Sequence, residues 1–94
     1  HCQTMAEVRA GVDAVDRALI ALLKNRFRYM DAAARIKQSR DDVRDEARKQ
    51  QVIENVRAEA VLLGLPEHLF VELWDRLVEE SIAYELERWD DQRV

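Results

Sequence analysis

One cysteine, one proline and two glycines in 94 residues exclude a good deal before any motif is sought. With Cys2 alone, neither a disulfide framework nor a thiolate metal site can be built. His1 and His68 are too few and too far apart to suggest a metal cluster, so no metal and no cofactor is expected. Glycine-rich phosphate loops, dinucleotide fingerprints and Ser/His/Asp arrangements are all missing. If the chain is an enzyme, its chemistry needs neither cofactor nor nucleophile. No run approaches the roughly 18 apolar residues of a membrane span, and no secretory h-region is visible. The expectation is a cytoplasmic protein without a membrane partner. His1 to Thr4 read as an added remnant, with Met5 a natural start.

Charge, by contrast, is plentiful and balanced. Over a third of the residues are charged, yet the net is only −4 and the basic residues are interleaved with acids. Nucleic acid would demand a basic face, so no nucleic-acid partner is expected. Abundant apolar and charged residues with few turn formers indicate a single all-α domain over residues 1–94.

Three helices can be drawn. The first runs from about Met5 to Arg40, roughly 54 Å at the α-helical rise. Asp41-Asp42 opens a short loop, and a second helix starts near Asp45 with Val52, Ile53, Val56, Ala60 and Leu63 on one side. Gly64 suits its C-terminal cap, and Pro66 suits the first turn of the third helix. That helix carries Leu69, Leu73, Trp74, Leu77, Val78, Ile82, Leu86 and Trp89. Two shorter helices cannot cover the apolar stripe of so long a rod, and geometry alone points to a symmetric dimer with the long helices paired.

The stripe also changes character. It runs Val8, Val12, Val15, Leu19, Leu22, and the same spacing then reaches Arg26, Met30, Ala33 and Lys37. An unpaired charge on a dry face costs several kcal/mol, roughly, so something negative must meet these cations. Arg48 and Lys49 lie beside the apolar run of the second helix, and Ser81 and Glu85 interrupt that of the third. Each has an ordinary alternative. Arg26 can snorkel, Lys37 can sit solvated at a helix end, and Lys49 can pair with Glu85. Trp74 and Trp89 fit a core or an interface. Together, a pocket holding Arg26, Lys37 and Arg48 would suit a small dianion, because guanidinium forks match carboxylates.

The order of these residues resembles the all-helical (AroQ-type) chorismate mutases over nearly the whole chain. The resemblance runs through Val8-Arg9, Val12-Asp13, Val15-Asp16, Leu19-Ile20-Ala21-Leu22-Leu23 and Arg26. It continues with Lys37, Val43-Arg44-Asp45 and Arg48, and closes with Glu80-Ser81-Ile82 and Glu85. It implies an intertwined homodimer of three-helix chains with two active sites. Arg9 would then reach a substrate carboxylate across the interface, and Arg26 would bind one within its own chain. Lys37 would contact the ether oxygen, Asp45 would lie near the ring hydroxyl, and Arg48 and Ser81 would support the site. Two positions depart from the best-known bacterial pattern. Lys49 stands where a glutamate usually meets the ring hydroxyl, and Glu85 where a glutamine usually donates to the ether oxygen. The loop between Lys37 and Arg48 is also one residue shorter.

The implied reaction is the rearrangement of chorismate to prephenate, in which a C–O bond breaks as a C–C bond forms and no proton need move. Cations would clamp both carboxylates in a reactive conformation, and donors would meet charge developing on the ether oxygen. Glu85 donates only when protonated, so activity is expected to rise as pH falls and Glu85→Gln to flatten that trend. Two rivals stay open. The short loop and the Ile82-Ala83…Trp89 ending resemble isochorismate-pyruvate lyase, whereas Val43-Arg44-Asp45 and Glu80-Ser81 favour the mutase branch. A non-catalytic dimerisation module would instead pair Arg26 and Lys37 with internal acids such as Asp45.

Overall fold

A computed structural model describes all 94 residues and is helical throughout, with no strand. Helix α1 spans Met5–Ile36, α2 spans Glu46–Leu62 and α3 spans Glu67–Asp91, with a 3₁₀ turn at Arg40–Asp42 between the first two. Local chemistry sets most of the boundaries. The Thr4 hydroxyl accepts from the Glu7 amide at 3.2 Å, and the Glu7 carboxylate accepts from the Gln3 amide at 3.0 Å, which occupies two donors at the start of α1. Thr4 is thus the N-cap of the longest helix.

Asp45 caps α2 by accepting from the Arg48 amide. At the other end Gly64 adopts φ +68°. The Gly64 amide donates to the Val61 carbonyl and the Leu65 amide to that of Ala60, closing a Schellman motif that a side chain would strain. Pro66 is the N-cap of α3, one position earlier than the first-turn placement.

The first helix stops four residues short of expectation. Lys37 leaves helical geometry at φ −63°, ψ 133°, although no Gly or Pro lies between Ile36 and Arg40. At the break the Ser39 hydroxyl accepts from the Asp41 amide and caps the 3₁₀ turn, and Trp89 and Arg93 donate to the Lys37 carbonyl.

Helix α3 is the central element. It packs against the C-terminal part of α1 and along α2, while α1 and α2 make no close backbone approach to each other. The fully buried apolar residues are Ala34, Val43, Ile53, Ala60 and Val78, all in that C-terminal part or beyond. Residues 1–22 are exposed without exception, so Val8, Val12, Val15, Leu19 and Leu22 face no part of their own chain. The long axis of the molecule, 55 Å, is set by this projecting rod. None of the helices is long and apolar enough to cross a membrane.

Candidate active site

Where α1 and α2 part on one side of α3, a cavity of about 320 Å³ opens, within the range that takes a small metabolite. Helix α1 supplies Arg26 and, at its C-cap, Lys37. Helix α2 supplies Arg48 and Lys49 from its first turn, with Asp45 just before it. Helix α3 supplies Ser81 and Glu85, one turn apart. Seven of the eight residues singled out in the sequence therefore line one space. The eighth, Arg9, does not. It lies about 25 Å along the helix axis from Arg26, on the exposed half of α1.

The charges in the cavity are unequally neutralised. Lys37 Nζ donates to Glu85 Oε2 at 2.7 Å and to the Val43 carbonyl at 3.3 Å. The Glu85 side chain is only 6% exposed. Lys49 does not meet Glu85, as the spacing had suggested. Its ammonium bridges Asp75 at 3.0 Å and Glu79 at 2.7 Å, two acids one turn apart on the face of α3 opposite α2. These contacts raise its pKa, the bond to Glu79 contributing most. Arg44 shares Glu79, and together the two cations hold the Glu79 carboxyl down at about 2.

The guanidiniums have no acid partner. Arg26 Nη1 donates to the Ser81 hydroxyl at 2.7 Å, and that hydroxyl in turn donates to the Leu77 carbonyl. Arg48 bonds to Gln51. Asp45 is engaged as the α2 cap and is not an internal counter-ion for Arg26 or Lys37. Burial first, and then the like charge of Arg48, lower the pKa of Arg26. Two forks thus share a cavity that supplies no carboxylate to either, an arrangement whose electrostatics suit a small dianion. The chain shows no group of three His, Cys, Asp or Glu that could hold a metal.

A chorismate mutase type II family model matches residues 8–86, covering most of the chain. The chain belongs to that family. No curated protein matches it. The type II assignment agrees with a three-helix chain whose cations converge, and it carries with it chorismate as the family's substrate and isomerisation as the family's reaction.

Two contacts of this mutase-family site had no sequence signal. Trp89 Nε1 and Arg93 Nη2 both donate to the Lys37 carbonyl, at 3.1 and 2.7 Å. A helix end capped from another helix leaves no local pattern, so the sequence alone places Trp89 in a core or an interface and gives Arg93 no role.

Proposed function

We propose that the chain is a chorismate mutase, an isomerase that converts chorismate to prephenate as a homodimer. The observation that carries this reading is the pair of acid-free guanidiniums, Arg26 and Arg48, in a cavity of metabolite size beside a lysine. Chorismate offers two carboxylates joined to a ring by a flexible enolpyruvyl ether. Arg26, oriented by Ser81, and Arg48 would fix carboxylates and thereby restrict the arm to a conformation in which the bond-forming carbons approach. Lys37 retains an N–H beyond those bonded to Glu85 and Val43, and would place it against the ether oxygen as that atom gains charge. Glu85 would sustain that ammonium as its counter-ion.

The dimer reading rests on the bare stripe of α1. A rod with five large aliphatic side chains exposed along one face is stable in water only when another surface covers them, and a second copy of the same rod is self-complementary. Arg9 lies on that rod, and in the dimer it would enter the partner's cavity as a third carboxylate ligand.

Lys49 favours a second reading, isochorismate-pyruvate lyase. Its latch to Asp75 and Glu79 puts a paired cation at the position from which a glutamate would meet the ring hydroxyl of chorismate. Purified protein incubated separately with chorismate and with isochorismate decides between them. Prephenate from the first supports the mutase. Salicylate and pyruvate from the second, with chorismate untouched, supports the lyase. Failure to turn over either substrate would leave the helical dimerisation module.

A further inference from the structure

Lys37 is the C-cap of α1, and its backbone is held by residues 52 and 56 positions later. Besides the two bonds to the Lys37 carbonyl, Arg93 Nη1 donates to the Ala34 carbonyl at 3.1 Å. The Arg93 guanidinium lies over the Trp89 ring, 4.1 Å from its centroid, so the two donors stiffen each other. One turn on, Arg40 forks onto Asp90. The end of α3 thus meets the carbonyls that a helix C-terminus leaves without partners, and it does so with a positive charge that the helix dipole favours.

The consequence falls on the cavity. Residues 36–40 have ordinary helical propensity, and a continued helix would engage the Lys37 carbonyl with the amide of Asp41. With that carbonyl taken by Trp89 and Arg93, the backbone turns extended at Lys37 and its side chain crosses to Glu85 and Val43. Trp89 and Arg93 lie outside the stretch matched by the family, residues 8–86, so the family assignment says nothing about them.

We propose that Trp89 and Arg93 are positioning residues that break α1 at Lys37 and so aim its ammonium into the cavity. The assignment of a catalytic role to that ammonium rests on the mutase reading; the positioning itself does not. Neither residue touches the cavity, and both act through Lys37.

Two variants test this: Arg93→Gln, and Trp89→Phe, which keeps an aromatic ring and removes the indole N–H. In wild-type protein labelled with ¹⁵N-lysine, the Lys37 ammonium should give a slowly exchanging signal, assigned by its loss in Lys37→Arg. Both variants should broaden or abolish it, whereas Arg76→Gln, which removes an exposed pair with Glu80, should leave it intact. Arg93→Lys should restore part of it. In the assay kcat should fall about five- to tenfold per lost hydrogen bond with KM little changed. Neither variant should lower activity further in a Lys37→Ala background. A Lys37 signal unchanged in folded Arg93→Gln and Trp89→Phe overturns the proposal. Absence of turnover by the wild type would remove the mutase reading and leave the ammonium signal to decide the positioning.

Discussion

The ammonium of Lys37 and the carboxylate of Glu85 meet at 2.7 Å across 48 residues of sequence, with the carboxylate almost wholly shielded from water. A pair of this kind is costly to break from one side, because the survivor remains buried without a counter-charge. Lys37→Met should therefore destabilise the protein by about 1–3 kcal/mol, while the double substitution Lys37→Met/Glu85→Leu should cost less than the single one. Chemical denaturation of both variants checks this; a double variant less stable than Lys37→Met would refute it.

The same pair bears on catalysis. Lys37→Ala should lower kcat by about 10²–10³, the usual effect of deleting a donor at a developing oxyanion. An amide at position 85 offers an N–H at every pH. Glu85→Gln should stay active, since the amide oxygen can still accept from Lys37 and the new N–H can donate to the ether oxygen. Steady-state kinetics showing a kcat as low as that of Lys37→Ala would mean that the negative charge at position 85 is required.

Ser81 fixes Arg26 with its single hydroxyl, accepting from the guanidinium while donating to Leu77. Ser81→Ala should raise KM and reduce kcat/KM about tenfold by freeing the fork. Arg26→Lys should do worse, because a point charge cannot match a carboxylate at two atoms. Steady-state kinetics on the two variants give the order, and an unaffected Ser81→Ala enzyme would show that the hydroxyl does not orient Arg26.

Acid should loosen the contact between α2 and α3. The Arg44 guanidinium, and then the Lys49 ammonium, depress the Glu79 carboxyl from an ordinary 4.5 to about 2. A carboxyl depressed on folding contributes stability above its unfolded pKa, and that contribution disappears as pH falls through its folded one. The difference in melting temperature between wild type and Glu79→Gln should thus be full above pH 4.5 and vanish toward pH 2. The groups are exposed, so high salt should shrink it at any pH. A difference that persists unchanged at pH 2 would mean the pairs contribute nothing specific.

Arg9 and Arg26 offer a test of assembly. If each cavity joins Arg26 of one chain to Arg9 of the other, Arg9→Ala and Arg26→Ala proteins are each inactive. Refolded together in equal amounts, they should recover roughly a quarter of wild-type sites, since half the dimers are mixed and each mixed dimer has one intact cavity. No recovery on mixing would place the two arginines in the same chain's site or make one irrelevant.

The helices and the convergence of charge were legible in the sequence because periodicity records burial, and a cation inside an apolar period is conspicuous. The exact partners were not. Lys49 pairs with Asp75 and Glu79 in place of Glu85 because the roll of α3 decides which of its acids face α2, and helical spacing offers several. The end of α1 was misplaced by four residues for a related reason. Locally only the Ser39 hydroxyl competes for the Asp41 amide, and the groups that meet the Lys37 carbonyl, Trp89 and Arg93, lie half a chain away.

One continuous helix carries both the bare aliphatic stripe and Arg26, with Lys37 at its C-cap, and a helix turns as a rigid body about its axis. Whatever seats the stripe sets the roll at which Arg26 and Lys37 arrive. Thermodynamic linkage then works in both directions: a ligand that favours one roll of α1 strengthens the docking of the stripe by the same factor by which docking strengthens the ligand. Affinity for a small dianion should accordingly vary with protein concentration, and dilution should act as an inhibitor.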